Sequence, residues 1–269
     1  MSNNIAILGA GVSGVGAAIL ASNKNYNVFV SDSNSIDKKN KKVLDNNNIA
    51  WEENGHDLAK ILSSDLIIKS PGIPDHIDLI QKIIEKEISI ISEIEFASRF
   101  TQAKIVAITG TNGKTTTTLL IYKILNDAGY NVLLAGNIGL SFAAEISSND
   151  YDFIVLEVSS FQLDNIVEFR PSISIILNIT ADHLDRYDNN FSNYVYSKLQ
   201  ITKNQTKNDF LIYNYDDNSL SALKTNAKKI PISMNYKSNG DSGLYTNNKM
   251  NINLNNKTMT IEKLALKGT

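Results

Sequence analysis

Lys104-Ile105-Val106-Ala107-Ile108-Thr109-Gly110-Thr111-Asn112-Gly113-Lys114-Thr115-Thr116 is the stretch on which the fold turns. An apolar run reading as a strand over Lys104–Ile108 stops at a glycine turn, and Gly-Lys-Thr then opens a segment with helical character over Lys114–Ala128. Such a loop wraps backbone N–H groups around phosphates, with Lys114 reaching the outer phosphates and the Thr115 hydroxyl suited to Mg²⁺. The spacing departs from G-x-x-x-x-G-K-[ST], because Ile108 stands where the first glycine would be. A chance Gly-Lys-Thr in a polar turn is the alternative, and the strand–loop–helix context argues against it. The expected ligand is the triphosphate of ATP, held by Gly110, Thr111, Asn112, Gly113, Lys114, Thr115 and Thr116.

Outward from this loop, strand and helix patterns alternate. Downstream, Asn131–Ala135, Phe153–Val158 and Ile173–Ile179 read as strands, the last two as nearly continuous apolar runs of the kind buried on both faces. Phe191–Lys203 reads as a helix and Phe210–Tyr213 as a strand; beyond about Lys229 the pattern weakens to short strands and turns such as Asn239-Gly240-Asp241. Upstream, strands are expected at Asn4–Leu8, Val28–Ser31, Asp65–Lys69 and Ile88–Ile91, with helices at Val12–Ser22 and Ile77–Lys86. Alternation of this kind implies an α/β protein with mostly parallel sheets and right-handed crossovers. The pattern restarts near Ser98–Ala103, so two domains are expected, a Rossmann-like one over 1–98 and a P-loop NTPase-like one over 99–269.

The amino-terminal unit has a glycine loop of its own. Gly9-Ala10-Gly11-Val12-Ser13-Gly14 fits G-x-G-x-x-G between a strand and a helix, and Asp32 closes the second strand where a ribose-binding carboxylate would stand. Glycines let the backbone approach a diphosphate, and the helix amino end adds partial positive charge. The pattern suits a dinucleotide, another diphosphate ligand or a purely structural turn, and the residues alone leave these open.

Two downstream positions carry chemistry of their own. Glu157 ends an apolar strand at the edge where α/β sheets present ligands, and a carboxylate there can hold Mg²⁺ beside the phosphate loop. His183, in Asp182-His183-Leu184-Asp185, follows another buried strand and suits a metal ligand or a group supporting one. His56 and His76 sit in polar surroundings and read as surface residues. Lys198 reads as a solvated helix lysine, and so do the lysines of Lys38-Lys39-Asn40-Lys41-Lys42.

Composition narrows the partners. A net charge of −2 gives no reason to expect nucleic acid or an anionic membrane. The absence of cysteine excludes disulfides, thiolate metal sites and a cysteine nucleophile. Met1-Ser2-Asn3-Asn4 lacks the basic region of a signal peptide, and no apolar run reaches the roughly 20 residues of a membrane span, so a cytoplasmic monomer is expected.

Taken together, Ser70-Pro71-Gly72-Ile73-Pro74, Thr109–Thr116, Gly136-Asn137-Ile138-Gly139, Leu156-Glu157-Val158-Ser159-Ser160-Phe161-Gln162-Leu163 and Asp182-His183-Leu184-Asp185-Arg186-Tyr187 resemble the Mur ligases, over essentially the whole chain. The Gly-Asn-Ile-Gly and Ser-Ser-Phe-Gln-Leu strings are most similar to the branch that adds D-glutamate to UDP-N-acetylmuramoyl-L-alanine. The resemblance implies that the first loop holds the UDP-linked substrate, with Gly14, Asp32, Ser70, Gly72, Asn137 and Ser159 as contacts. It implies a catalytic set of Lys114, Glu157, His183 and Lys198, and Mg²⁺ held through Thr115, Glu157, His183 and a carbamylated Lys198. The implied reaction forms an acyl phosphate from ATP and the alanyl carboxylate, which the amine of D-glutamate then attacks, in peptidoglycan synthesis.

The family has three domains and the resemblance covers two, so the expectation from sequence is a chain lacking the third. Lys267-Gly268-Thr269 stands where the family continues with a His-Asn helix that contacts adenine. On that expectation ATP binding is weakened, the chain alone is inactive or nearly so, and the strands from about Leu244 are poorly ordered or pair irregularly. Rival readings are a nicotinamide-dependent dehydrogenase, another Mur-type or a folylpolyglutamate-type ligase, and a non-catalytic nucleotide-binding protein.

Overall fold

The computed structural model describes residues 3–220, 223–234, 240–246, 249–255 and 257–261. The first sheet takes β1 (Asn4–Leu8), β2 (Asn27–Ser31), β3 (Ala50–Glu52), β4 (Leu66–Lys69) and β5 (Ser89–Ile91), in the order β3-β2-β1-β4-β5 and parallel throughout. Its helices are α1 (Val12–Asn23), α2 (Lys38–Asn46), α3 (Leu58–Leu62) and α4 (Asp78–Glu85). The order reverses between β1 and β4, so the turns after these two strands flank the crevice where doubly wound sheets bind ligands.

A short helix, α5 (Glu93–Ser98), leads into the second sheet. That sheet comprises β6 (Lys104–Thr109), β7 (Val132–Gly136), β8 (Phe153–Glu157), β9 (Ile173–Ile176), β10 (Phe210–Asn214), β11 (Lys228–Ser233), β12 (Ser242–Thr246), β13 (Lys249–Leu254) and β14 (Lys257–Ile261). They lie in the order β14-β13-β12-β11-β10-β9-β6-β8-β7. Strands β6 to β11 pair parallel; β12 joins β11 in parallel, and β12–β13 and β13–β14 pair antiparallel. Among the described residues four α-helices complete the unit: α6 (Lys114–Asp127), α7 (Phe142–Ile146), α8 (Ser160–Leu163) and α9 (Phe191–Leu199). Among the described residues no helix is long and apolar enough to cross a membrane.

Three expectations change. The strands from Leu244 pair regularly, Leu244 opposite Asn251 and Asn251 opposite Thr260, because hairpins between chain neighbours complete each other's ladders. Asn239 and the stretch 262–269, with Lys267-Gly268-Thr269, lie outside the described residues. The strand read over Ile173–Ile179 ends at Ile176, because the chain turns at Asn178 to brace the phosphate loop. The lysine-rich segment is a helix as read, capped by Asp37, but Lys41 turns to Glu53 at 2.5 Å and Asn40 donates to the Ala10 carbonyl at 2.8 Å.

One hydrophobic cluster runs through both units, from Ile5 and Ile7 of β1 to Ala107 of β6 and Leu133 of β7. The joint is close. A Cβ at Gly16 of α1 would stand 1.9 Å from Ser141 Oγ at the start of α7, so only glycine admits this crossing. From α5, the buried Glu93 carboxylate accepts from Ser141 Oγ at 2.9 Å and the Ala143 N–H at 2.8 Å. Glu95, also buried, accepts from the N–H groups of Val167, Glu168 and Phe169 at 2.9, 2.9 and 2.7 Å, and pairs with Arg99.

Candidate active site

Six of the nine α-helices among the described residues have a side chain on their first amides; α1, α4 and α6 do not. Two of the three uncapped ends, those of α1 and α6, are the glycine loops, whose N-cap residues are Gly11 and Gly113. Their free N–H groups and helix dipoles are therefore open to an anion.

The loop after β6 is braced from β9. Asn178 accepts from the Thr111 and Asn112 N–H groups at 2.8 and 2.9 Å and donates back to the Asn112 carbonyl at 3.0 Å. Thr111 Oγ1 donates to the Thr180 carbonyl at 3.0 Å and lies 3.3 Å from the Tyr194 hydroxyl. Lys114 Nζ curls over the loop, donating to the Gly110 and Thr111 carbonyls at 3.0 and 2.9 Å. Thr115 Oγ1 donates to Glu157 Oε2 at 2.8 Å, and Asn137 Nδ2 donates to Glu157 Oε1 at 3.0 Å. Glu157 is buried and Thr115 and Thr116 exposed, so the carboxylate is offered from below to a rim of hydroxyls.

Lys198 is not the solvated lysine its surroundings in sequence suggest. It is 2% exposed, its ammonium donates to the Gly110 carbonyl at 3.0 Å, and it lies 4.6 Å from the Tyr194 ring centre. Burial, aided by the nearby charge of Lys114, pulls its pKa down to about 8. Tyr194 and Lys198 are four residues apart on α9 and so share a face, a signal the spacing held but that reading did not use. Asn178 and Thr180 were missed as well; their role depends on a loop 66 and 69 residues away.

His183 stands apart. Its side chain is 58% exposed, 3.6 Å from Asp182 and against the Phe161 ring at 5.4 Å between centres. Among the described residues no group of three or more His, Cys, Asp and Glu side chains is gathered for a metal. What the phosphate loop offers is one carboxylate with a hydroxyl at its side, all oxygen, which suits Mg²⁺ held mainly by water and substrate phosphates.

At the first loop, Asp32 holds the turn, Oδ2 accepting from the Ala10 N–H at 2.8 Å and Oδ1 from the Asn34 N–H at 2.9 Å. A Cβ at Gly14 would stand 1.9 Å from the Gly9 carbonyl, so this glycine lets α1 close on β1. Ser70 follows β4 with its N–H on the Leu8 carbonyl, and Gly72 is exposed in the next turn. Asn137 and Ser159 lie with Glu157 beside the second loop instead; Ser159 caps α8 in a reciprocal pair with Gln162. His56 is not a free surface residue: it is half-buried, with Nδ1 2.6 Å from Ser31 Oγ, because Gly55 bends the chain back onto Asp32.

The comparisons with known proteins fall on this same frame. Residues 108–267 match the model of the Mur ligase middle domain and residues 4–79 that of the MurD N-terminal domain. The UDP-N-acetylmuramoylalanine–D-glutamate ligase of Bacteroides fragilis is 54% identical over 213 residues, which is 79% of this chain and 48% of that protein. The enzyme of the same name from Christiangramia forsetii is 49% identical over 221 residues, 82% of this chain and 50% of that one. The chain thus spans about half the length of the curated relatives it matches. Among solved structures, UDP-N-acetylmuramate:L-alanyl-γ-D-glutamyl-meso-diaminopimelate ligase from Neisseria meningitides shares the fold at 18% identity. Its TM-score is 0.63, over 100% of this chain and 89% of that one. UDP-N-acetylmuramate–alanine ligase from Thermotoga maritima is 20% identical with a TM-score of 0.52, over 96% of this chain and 60% of that one.

Proposed function

Because the chain belongs to the Mur ligase family, we propose that it binds ATP at the Gly110–Thr116 loop and serves the ligation of D-glutamate to UDP-N-acetylmuramoyl-L-alanine in peptidoglycan synthesis. The observation that carries this reading is the link Thr115–Glu157–Asn137, which ties the phosphate loop to the Gly136–Gly139 turn leading into α7 and the first unit.

Two domains divide the labour in this reading, 1–98 for the UDP-linked substrate and 99–269 for ATP. Gly14, Asp32, Ser70 and Gly72 take the UDP part, and Asn137 and Ser159 the end that reacts. The alanyl carboxylate oxygen attacks the γ-phosphorus, an O–P bond forms, and the bond to ADP breaks. The D-glutamate amine, having lost a proton, attacks the acyl carbon; a C–N bond forms and phosphate leaves. Loop amides and Lys114 orient the phosphates and offset their charge, a preorganised arrangement that costs little to reorganise during reaction. Thr115 and Glu157 would hold Mg²⁺, which offsets charge on the transferring phosphoryl group. ATP as a substrate puts the reaction in the cytoplasm.

His183 and Lys198 complete the proposed set. An amine with a pKa of about 8 carries a neutral fraction of roughly a tenth at pH 7, far more than an ordinary lysine does. Its nitrogen can add to CO₂, forming a C–N bond and releasing a proton, which turns a buried cation into an anionic oxygen ligand.

The half-length match favours a second reading, in which these residues bind both substrates without turnover. Calorimetry with ATP and with UDP-N-acetylmuramoyl-L-alanine, followed by phosphate release on adding D-glutamate, separates the two. Saturable binding of both is expected. Phosphate release selects the ligase and its absence the binding protein, whereas failure to bind either substrate sinks both.

A further inference from the structure

Arg186 reaches from the second unit into the first. Its guanidinium donates to the carbonyls of Gly72 at 3.0 Å, Pro71 at 2.9 Å and Ile73 at 2.7 Å, spending its fork on three successive peptide groups. Its carbon lies 4.7 Å from the centre of the Phe161 ring, and Phe161 stacks on Tyr187 at 5.9 Å, so the side chain is held from behind. Beneath the same turn, the buried Lys69 ammonium donates to the Ile73 carbonyl at 2.9 Å and pairs with Asp75. The Ile73 carbonyl thus receives two cationic donors, and the turn's acceptors are drawn to one side.

We infer that Arg186 is a positioning residue that aims the Ser70–Ile73 turn at a sugar nucleotide, a role resting on the functional reading above. The peptide group is planar and trans, so a carbonyl turned toward Arg186 turns the N–H of the same peptide away from it. The Ile73 N–H is taken by the Ser70 carbonyl at 3.1 Å, whereas Gly72 is exposed and a Cβ built on it meets nothing within 4 Å. The Pro71–Gly72 peptide, with its carbonyl on Arg186, therefore turns its donor away from that side chain, where a phosphate or carbonyl oxygen could accept it. A lysine cannot replace this, because one ammonium lacks the planar fork that spans three acceptors. Arg186 also lies on the same short turn as His183, so the first unit's loop and the second unit's histidine are held by one segment.

The test uses the whole chain with Arg186→Met, which keeps the apolar stem against Phe161 and removes the donors, and with Arg186→Lys. The expected result is affinity for UDP-N-acetylmuramoyl-L-alanine about tenfold weaker in both variants, near 1.4 kcal/mol. ATP affinity is expected to change less than about twofold, with the unfolding midpoint retained. Amide exchange at Ile73, whose N–H is held by the Ser70 carbonyl, should speed up in R186M without ligand, a readout that a role in overall stability would not confine to this turn. Undiminished sugar-nucleotide binding by R186M overturns the inference, as does unchanged exchange at the Ile73 amide. If the unsubstituted chain fails to bind the sugar nucleotide, the functional reading fails, and the exchange comparison still decides whether Arg186 orients the turn.

Discussion

Replacing Glu95 by alanine tests whether the two sheets unfold as one body. The carboxylate is fully buried; Oε2 accepts three backbone N–H groups from 167–169, and Oε1 pairs with Arg99 at 2.9 Å. A buried donor left unpaired costs about 1–3 kcal/mol, and breaking a buried charged network by removing one partner about 3–5 kcal/mol. Water entering the space left by the side chain would satisfy part of this, so the lower part of that range, about 3–4 kcal/mol, is expected for E95A. Glu95→Gln keeps one oxygen for the amides but turns an NH₂ group toward Arg99, which should cost about 2 kcal/mol. Arg99→Met leaves the three N–H contacts intact and should cost about 1 kcal/mol or less, since the arginine is one-third exposed. Trp51, the single tryptophan, lies on β3 in the first sheet, far along the chain from 167–169, and packs against the cluster shared by both sheets. Urea unfolding followed by Trp51 fluorescence and by far-UV circular dichroism should therefore show coincident midpoints, both lowered in E95A. A loss below about 1 kcal/mol would refute the account of the three N–H contacts. A dichroism midpoint that falls while the Trp51 midpoint stays would refute the shared core.

The remaining predictions concern the loops. Thr115→Val should weaken Mg²⁺-dependent nucleotide binding by about 10–100-fold while Thr115→Ser retains it, read from Mg²⁺ titrations at fixed nucleotide. Lys198 has a depressed folded pKa of about 8 against 10.5, so between these values the unfolded chain holds a proton that the folded chain has released, and stability rises with pH across that window. In CO₂-free buffer, wild-type stability measured against Lys198→Met should climb by at most about 3 kcal/mol between pH 8 and 10.5; a flat difference would refute the buried ammonium. Gly14→Ala puts a Cβ 1.9 Å from a backbone oxygen, so it should cost roughly 1–3 kcal/mol and abolish sugar-nucleotide binding, checked by thermal unfolding and calorimetry.

What could be read from the chain divides by sequence distance. The phosphate loop is legible because Gly110, Gly113, Lys114 and Thr115 act within six residues, and strand, turn and helix signals all agree there. Lys198 is illegible alone: what distinguishes it is burial against a carbonyl 88 residues away. Glu93 and Glu95 look like an ordinary acidic helix start, and only the packing of α5 against α7 and residues 167–169 turns them inward. His56 fails for the same reason, since the Ser31 hydroxyl that engages it lies 25 residues upstream. The short elements β3, α3 and α5 have three to six residues each, too few for a hydrophobic period to declare itself.

A reaction between two bound substrates needs their sites held in register, and rigid elements do this better than loops. Here the register passes through α7. Its first amides are held twice, by its own Ser141 and by Glu93 of α5, whose carboxyl burial pushes up in pKa. Gly16 of α1 seats on the same turn, and α1 begins at the first glycine loop. In the other direction, α7 follows the Gly136–Gly139 turn, whose Asn137 is fixed to Glu157 and thence to Thr115. From one glycine loop to the other the path is thus a helix, a contact that excludes any side chain on Gly16, the turn that leads into α7 and two hydrogen bonds. Arg186 makes a second tie, joining the turn after β4 to the segment bearing His183. With two ties between the units, a change in the angle between the sheets strains the α1–α7 seat and the Arg186 contacts. The Arg186 contacts are half-exposed hydrogen bonds and the seat is buried, so motion between the units should begin at Arg186.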